Sequence, residues 1–427
     1  MTRLGISGWL TRGALRSPLT PLFLFAALAA GMVALLTIPR EEEPQISVPM
    51  VDIMVSANGL KAADAAELVT KPLEAIVKAI NGVEHVYSQT QDDQVLVTAR
   101  FLVGTSEDDA VLRVHEQIRA NINRIPIGIP EPLVVRRGIN DVPIVVLSLS
   151  PRPEAAERWT DKDLYDLAVK LREEMVKVDN VGTSFIAGTS PEQIRVEPDP
   201  EKLSLYGVTL QQLIAKVRDA NRAFVAGTVR DAGVSRVVAA GQTLQGMPDI
   251  GLLLVSTRDG RPVYLRDLAR VIVGPSAAES RVWNIAADAQ GQWHRTPAAS
   301  LAIAKRAGAN AVVVSQAILT RVAGLRGRLI PPDVRVDVTR DYGATANDKA
   351  NELLFHLGLA TVSIVVLIAV AIGWREAVVT LVVIPTTILL TLFAARIMGY
   401  TINRVSLFAL IFSIGILVDD AIVVVEN

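Results

Sequence analysis

The broadest pattern in this chain is a division into long apolar runs and one long polar stretch. The apolar runs are nearly free of charge and lie at residues 18–39, 353–373, 377–395 and 405–425. Each is close to the roughly 20 residues that a helix needs to cross about 30 Å of hydrocarbon. The polar stretch covers residues 40–352. The pattern therefore predicts a membrane protein with four spanning helices and one large extramembrane body.

Finer periodicity at the start of the body predicts a lobe of order βαββαβ. The patterns place strands at 46–55, 83–89, 94–101 and 133–137, and helices at 62–80 and after the capping pattern Ser106-x-x-Asp109. The predicted apolar stripes are Ala65, Leu68, Leu73, Ile76 and Ile80 in the first helix and Val111, Val114, Ile118 and Ile122 in the second. We expect Asp92 and Asp93 to form a hairpin turn. This order is the ferredoxin-like arrangement, in which two helices cover one face of a sheet.

A second segment repeats this plan with an interruption. Its first half has a predicted strand at 144–150, a helix capped by Thr160-x-x-Asp163 with Leu164, Leu167, Leu171 and Met175 inward, and a strand at 183–186. Its second half has a strand at 298–304, a helix at 310–325 and a strand at 334–340. Between the halves, about residues 195–280 carry their own capped helix at Thr209-x-x-Gln212. We interpret the body as two related lobes with one domain inserted into the second.

Composition narrows the function without changing this outline. The 43 basic residues balance 44 acidic ones without a long basic tract, which excludes a nucleic-acid-binding protein. The chain has no cysteine, which excludes disulfide frameworks, thiolate zinc sites and cysteine nucleophiles. The four histidines lack metal-ligand spacing, and no phosphate-binding glycine loop is present. We therefore expect no metal site, no cofactor, no use of ATP and no enzymatic activity.

The leader before the first apolar run carries the signal for orientation. Arg3, Arg12 and Arg16 precede the run, and no acidic residue accompanies them. The positive-inside rule then places the N-terminus in the cytoplasm and the large body on the outer side of the membrane. A cleavable signal peptide is the alternative for this run, because Ala27 and Ala29 have the small-residue spacing of a cleavage site.

The last apolar run contains two adjacent carboxylates, Asp419 and Asp420. They lie about 6 Å beyond the centre of the run at 1.5 Å rise per residue, and about 100° apart around the helix axis. An ionised Asp at such a depth costs about 2.5–3.5 kcal/mol on insertion scales, and a second like charge adds to this cost. Because carboxylates within a membrane mark ion pathways and relays, the pair indicates a proton-binding site.

A second interpretation places Asp419 and Asp420 at the cytoplasmic interface in contact with water, with the span shifted toward the N-terminus. Residues 421–425 continue the apolar run for more than a turn before Glu426, which favours the buried relay. Glu426 itself fits an interfacial charge.

The sequence around the pair resembles a known family. Residues 415–427, GILVDDAIVVVEN, are similar to the fourth-helix signature of the resistance-nodulation-division (RND) efflux pumps, in particular the branch that exports hydrophobic and amphiphilic drugs. Supporting matches are Ile38-Pro39-Arg40 with Pro44, Trp374-Arg-Glu-Ala377, and Gly399-Tyr-Thr-Ile-Asn403. The resemblance covers the whole chain as the N-terminal part of such a pump.

The resemblance implies an α+β membrane protein with large periplasmic, ferredoxin-like porter subdomains. The implied divisions are a leader and first span at 1–39, a first porter subdomain at 40–141, a second at 142–190 and 282–342, a docking insert at 191–281, and spans two to four at 343–427. Family members have twelve spans in two similar halves, and a lysine from the second half meets the carboxylate pair. We therefore expect this chain to be a truncated N-terminal piece.

The resemblance also implies a multidrug efflux permease that exports amphiphilic compounds in exchange for protons. It implies a multi-pass protein of the bacterial inner membrane, working as a homotrimer with a periplasmic adaptor and an outer-membrane channel. Two departures from the family pattern concern trimer geometry and cargo. The insert between Gly227 and Asp249 is shorter than the docking arm of drug exporters, and the stretches 142–146 and 183–188 offer Phe185 as their one aromatic residue. The substrate-binding residues stay unassigned.

Two rival functions remain open from the sequence. The first is a metal-ion efflux permease of the same superfamily. Paired acids in the fourth span and the lack of clustered methionine ligands count against this cargo. The second is a membrane-anchored ligand sensor that does not transport, which predicts no requirement for Asp419 and Asp420.

Overall fold

The computed structural model describes residues 13, 17–42, 44, 48–126, 128–138, 141–220, 224–231, 233–240, 247–258, 260–276, 280–287 and 291–426. Side chains are described within these ranges except at 224, 231, 240, 247 and 418–426. The chain is a mixture of helices and strands. The first long element, α1 (Thr20–Thr37), is uniformly apolar and corresponds to the first predicted span. Residues 46 and 47, the start of the predicted strand 46–55, lie outside the described part of the chain.

The first lobe follows α1 and has the order βαββαβ. Its elements are β1 (Met50–Ser56), the composite helix α2 (Ala62–Ala65, Ala66–Thr70 and Lys71–Lys78), β2 (Val83–Gln91), β3 (Gln94–Phe101), α3 (Glu107–Ala120) and β4 (Leu133–Arg137). The strands form one antiparallel sheet in the order β2-β3-β1-β4. One face of the sheet packs against both helices, and the buried core includes Ile53, Leu73, Val97, Phe101 and Val114.

The turn between β2 and β3 also contacts the start of helix α2. Asp93 adopts a positive φ of 66°, which confirms the predicted hairpin turn at Asp92 and Asp93. Asp93 also accepts a bond from the Gly59 N–H, and Asp92 accepts one from the Ala62 N–H at 2.9 Å. The hairpin therefore supplies carboxylates to the N-terminus of α2, where unpaired N–H groups favour negative charge. The pKa of Asp92 is below its usual value, mainly because the Lys61 ammonium donates a hydrogen bond to the carboxylate. The Ala62 N–H lowers this pKa further in the same way.

Three predictions about the helices of this lobe were wrong in part. Residues Ala66–Thr70 form a π-helical turn, which holds an extra residue, so Val69 is buried and Leu68 is 48% exposed. Helix α3 begins after Ser106, but the Ser106 side chain makes no capping bond. The same helix ends at Ala120, so Ile122 leaves the stripe and is exposed.

The second lobe begins with β5 (Val145–Pro151), α4 (Asp161–Val176) and β6 (Val181–Ala187). Helix α4 has the predicted capping box, in which the Thr160 hydroxyl accepts from the Asp163 N–H and the Asp163 carboxylate accepts from the Thr160 N–H. Its predicted inward residues, Leu164, Leu167, Leu171 and Met175, are all buried. The Thr160 hydroxyl and N–H lower the pKa of Asp163, because both donate to its charged form.

The chain then leaves the second lobe through β7 (Glu192–Pro198) and returns through β12. The elements between are α5 (Pro200–Tyr206), α6 (Leu210–Ala220), β8 (Phe224–Asp231), β9 (Val234–Ala240), α7 (Met247–Gly251), β10 (Leu254–Arg258), β11 (Arg261–Tyr264), α8 (Leu265–Leu268) and β12 (Ala269–Pro275). Strands β7 and β12 pair antiparallel, and β8 and β9 form an exposed hairpin. A separate apolar cluster holds these elements together, with Leu203, Leu213, Leu265 and Leu268 in its centre.

The second lobe resumes with β13 (Val282–Ala287), β14 (Trp293–Lys305), α9 (Ala311–Leu325) and β15 (Val334–Asp341). The sheet order is β13-β14-β5-β15, and β6 also pairs with β14. Strands from both sides of the interruption therefore share one sheet and one core, which includes Leu147, Leu171, Leu301 and Ile318. Strand β13 was missed by sequence reasoning.

Three apolar helices end the chain: α10 (Tyr342–Ala371), α11 (Trp374–Ile397) and α12 (Arg404–Glu426). Within the described residues, α1, α10 and α11 are long and apolar enough to cross a membrane, and residues Arg404–Leu417 of α12 form a shorter apolar stretch. The four helices share a core that includes Ile38, Leu357, Ile384 and Leu407. Gly31 of α1 lies so close to Leu389 of α11 that an added Cβ would sit 2.3 Å from the leucine Cβ. This approach fixes where the first and third spans cross.

Candidate functional site

Helix α12 carries the carboxylate pair, and its start is fixed by a reciprocal cap. The Asn403 side chain accepts from the Ser406 N–H at 2.9 Å, and the Ser406 hydroxyl accepts from the Asn403 N–H at 2.9 Å. Both residues follow the Gly399-Tyr-Thr-Ile stretch that precedes the helix. The cap satisfies N–H groups that would otherwise be unpaired at the helix start. It therefore sets the point from which positions along α12 are counted.

The backbone of Asp419 and Asp420 is part of helix α12. Their side chains are outside the described part of the structure. At 1.5 Å rise per residue, Asp419 is about 22 Å from the helix start at Arg404. About 10 Å of helix follow it before Glu426. The pair thus lies well inside the helix, on its C-terminal third. What surrounds the two carboxylates stays a prediction.

The apolar stretches of the other three long helices carry few ionisable residues. Within 20–37, 353–371 and 377–395 the one such residue is His356. Buried hydroxyls in these helices bond to their own backbone: Thr361 donates to the Leu357 carbonyl and Thr380 to the Glu376 carbonyl. Pro385 interrupts the bonding ladder of α11, and the helix continues through it. These apolar stretches therefore contain no Lys or Arg that could pair with the carboxylates of α12.

Strand β14 pairs with both of the stretches, 142–146 and 183–188, that the sequence analysis singled out for their one aromatic residue. Ala302 of β14 pairs with Val146 of β5 on one side and with Phe185 of β6 on the other. Paired residues share a face of the sheet, so Phe185, Ala302 and Val146 form a row. The Phe185 side chain is 48% exposed. The row lies on the face opposite the helices, because the neighbouring residues Leu147 and Leu301 belong to the core.

Further along the same sheet is a polar cavity that sequence reasoning missed. Its volume is about 320 Å³, and its lining includes Ser150, Arg152, Asn284, His294 and Arg335. The Asn284 amide donates to the Ser150 hydroxyl at 2.7 Å and to Asp337 at 3.0 Å. Residues 282–287, VWNIAA, do not alternate between apolar and polar positions, so the sequence contains no signal for the strand that carries Asn284.

A larger groove lies on the opposite, helical side of the second lobe. Its volume is about 1060 Å³, and it runs between α4 and α9 past Glu174, Lys177, Arg321 and Arg328. Lys177 and then Arg321 hold the pKa of Glu174 below its usual value by donating hydrogen bonds to its charged form. No group of three or more His, Cys, Asp or Glu residues in the described ranges could hold a metal ion.

Comparison with known proteins decides the family. Residues 14–427 match the model of the AcrB/AcrD/AcrF family. The chain belongs to this family. Its members are RND transporters, which confirms the resemblance found in the sequence, and RND homologues are inner-membrane proteins.

The chain is also similar to curated proteins that carry the name multidrug resistance protein MdtC. The protein from Edwardsiella ictaluri (strain 93-146) is 26% identical over 411 residues, covering 96% of this chain and 39% of the relative. Those from Yersinia pseudotuberculosis serotype O:1b (strain IP 31758) and Yersinia pestis bv. Antiqua (strain Angola) have the same identity and coverage. The chain thus spans 39% of the length of these relatives.

Proposed function

We propose that this chain is part of a secondary active transporter that exports hydrophobic or amphiphilic compounds in exchange for protons. The observation that carries the proposal is the match of nearly the whole chain to a transporter family whose similar members are named for multidrug resistance. An exporter of this kind needs an energy source, and the candidate on this chain is the carboxylate pair. The protein is a transporter and not an enzyme.

Asp419 and Asp420 are the proposed proton carriers. Their depth in an apolar helix supports this role, since carboxylates inside a membrane mark ion pathways and proton relays. A proton that crosses 100 mV supplies about 2.3 kcal/mol, which sustains roughly a fiftyfold gradient of a neutral cargo. The apolar stretches 20–37, 353–371 and 377–395 carry no Lys or Arg, and we propose that the cation that pairs with the carboxylates comes from elsewhere in the protein.

The two lobes are the proposed porter subdomains. The first, residues 40–141, is ferredoxin-like; its element order and its strand order β2-β3-β1-β4 support this assignment. The second consists of residues 142–190 and 282–342, whose strands share one sheet. Residues 191–281 are the docking insert, supported by their separate apolar cluster. Residues 1–39 supply the leader and first span, and residues 343–427 supply spans two to four.

The proposed surroundings follow from the family. The RND pumps work as trimers with an adaptor and an outer-membrane channel, and we assign the same partners to this protein. The lobes then lie in the periplasm, on the side of the membrane opposite the N-terminal arginines. The row of Phe185, Ala302 and Val146 is a candidate for contact with an amphiphilic cargo, because it offers an exposed aromatic ring beside apolar backbone neighbours.

The test is export of a fluorescent amphiphilic dye by cells that carry the natural full-length protein. Export should stop when a proton uncoupler is added. Asp419→Asn and Asp420→Asn should each reduce export to the level of cells without the protein, because an amide cannot carry the proton. Glu426→Gln is the matched control on the same helix and should keep export. Membrane insertion of each variant is checked by immunoblot of washed membranes.

The rival functions are outcomes of the same test. Dye export by a well-expressed Asp420→Asn protein contradicts the proton-carrier role. Export of divalent or monovalent metal ions in place of dye identifies a metal-ion permease. Binding of the dye without any export, with or without the uncoupler, identifies a ligand sensor.

A further inference from the structure

An ion pair joins the membrane helices to the second lobe. The Lys305 ammonium, at the end of β14, donates to a Glu41 carboxylate oxygen at 2.5 Å. Glu41 follows α1 in the chain by only a few residues. The Lys305 side chain is 9% exposed and the Glu41 side chain 4% exposed. Two residues 264 positions apart are therefore held together away from water.

The same short segment, residues 39–41, also holds the link between the third and fourth spans. The Glu41 N–H donates to the Ile402 carbonyl at 2.9 Å, and the Ile402 N–H donates to the Pro39 carbonyl at 2.9 Å. The Thr401 hydroxyl donates to the second Glu41 carboxylate oxygen at 3.1 Å. These bonds form a short parallel bridge, so the chain leaving α1 and the chain entering α12 are fixed side by side.

Arg40 extends the connection to the second span and to the second lobe. Its guanidinium donates to Asn347 at 2.9 Å and Asn351 at 3.0 Å, both on α10. Its carbonyl accepts from the N–H of Ala311, the first residue of α9. Residues 39–41 therefore contact α10, the link before α12, β14 and α9. We call this set of contacts the junction.

Burial makes the junction resistant to separation. Opening it would leave a charged ammonium and a carboxylate in a site shaped to exclude water, which is strongly unfavourable for an unpaired ion. The backbone bonds to Ile402 and Ala311 would be lost at the same time. Exposed ion pairs nearby, such as Lys349 with Glu352, have no such restriction, because water replaces the partner.

We propose that Glu41 and Lys305 are positioning residues for transport. The junction makes the outer ends of the spans and the second lobe move as one unit, so that a rearrangement set by the carboxylates on α12 reaches the lobe. This role rests on the proposed function. It assigns the pair to mechanical coupling, and neither residue contacts the cargo or the proton.

The first experiment measures the junction without transport. In the natural full-length protein, Glu41→Gln and Lys305→Met should raise the hydrogen-exchange rates of the Glu41 and Ile402 amides by at least about tenfold, the factor that about 1.4 kcal/mol gives. Glu352→Gln, the same change in an exposed pair, should leave them unchanged. Unchanged exchange in Glu41→Gln would show that the ion pair does not hold the junction. Because exchange is read without cargo, it remains informative even if dye export is absent and the proposed function fails.

The second experiment tests whether loss of the ion pair slows export, in addition to loosening the junction. Glu41→Gln should lower the maximal export rate at least about tenfold while the dye concentration for half-maximal rate stays within about twofold, since the cargo site is untouched. Faster exchange with a normal maximal rate would overturn the positioning role. So would a change confined to the half-maximal concentration.

A reversible tether provides the decisive variant. The 427 residues contain no cysteine, so Glu41→Cys with Lys305→Cys adds a pair without background from this chain. Bridging the two thiols with a short bis-methanethiosulfonate reagent should restore export to more than about half of the unmodified protein, because the tether replaces the ion pair. If the bridged protein is inactive and a reductant restores export, the two residues must separate during the cycle and the proposal is wrong.

Discussion

The two lobes have related folds, but they are connected to the membrane helices in different ways. In the second lobe, β15 ends at Asp341 and α10 begins at Tyr342, so a strand of the sheet continues directly into the second span. In the first lobe, residues 38–49 separate the end of α1 from the start of β1. The same architecture is thus attached at one place by continuous secondary structure and at the other by a connecting segment.

Side-chain contacts strengthen the attachment of the second lobe. The Asp341 carboxylate accepts from the Ala344 N–H and from the Ser315 hydroxyl, which joins the start of α10 to α9. Gly343 lies against Ser315 and the Ala311 carbonyl, with no room for a side chain. Because close-packed interiors transmit strain, we expect a shift of α10 to move the second lobe with it. The comparison indicates that the second lobe is the one that follows the membrane helices.

The largest expected effect is at this contact. Gly343→Ala would place a Cβ 2.4 Å from the Ser315 Cβ and 2.8 Å from the Ala311 carbonyl oxygen. We expect it to lower the free energy of unfolding by about 3 kcal/mol, measured by reversible urea unfolding in detergent. Gly358→Ala on the same helix is the control, because nothing lies within 4 Å of its added Cβ. Equal stability of the two variants would remove the basis of the comparison.

The next effect tests the packing of the first lobe. Val69→Ala should lower the local stability of the lobe by about 2 kcal/mol, because it removes buried methyl groups. Leu68→Ala should change it little, since Leu68 is exposed by the π-helical turn. Hydrogen exchange of the β1 and β3 amides measures both. A regular α-helix with the stripe expected from sequence would give the reverse order.

The smallest effect compares the helix caps of the two lobes directly. Thr160→Ala should destabilise the second lobe by about 1 kcal/mol, because it removes a side-chain cap that is present. Ser106→Ala should cost the first lobe less than about 0.3 kcal/mol, because Ser106 makes no capping bond. Thermal unfolding at fixed pH compares the variants. A similar loss in both would show that Ser106 caps its helix in solution.

The cap of the second lobe also has a pH dependence of known sign. The pKa of Asp163 is lowered in the folded protein, so its contribution is present above the unfolded pKa and is lost as the pH falls through the folded value. The stability difference between the natural protein and Asp163→Asn should therefore be constant near neutral pH and shrink as the pH falls below the ordinary value of 3.8 toward the lowered folded pKa. A difference that grows on acidification would contradict this assignment.

Long-range order in the lobes was predictable where local signals agreed. The bounds of β3 and β4 match the predicted strands, and Thr160 caps the helix that follows it as predicted. Prediction failed where packing competed with periodicity. The π-helical turn at Ala66–Thr70 changed which residue of α2 is buried. Strand β13 has no apolar–polar alternation in its sequence and is recognised only by its pairing with β14.

For the candidate site too, some features could be predicted from the sequence and others required the tertiary structure. The depth of Asp419 and Asp420 follows from counting apolar residues, because a helix has a fixed rise per residue. The partners of the two carboxylates cannot be read from that count, since they depend on which helices stand next to α12. The row through Phe185 and Val146 likewise needed the register of β5 and β6 on β14.

The sequence by itself determined the membrane character, the two-lobe plan, the interruption of the second lobe and the family. These follow from hydrophobic periodicity and from motifs whose residues are neighbours in the chain. Only the tertiary structure decided that Glu41 meets Lys305, that residues 39–41 lie beside Ile402, and that Gly343 packs against Ser315. Contacts between residues hundreds of positions apart depend on how whole elements pack, and local patterns carry no information about that geometry.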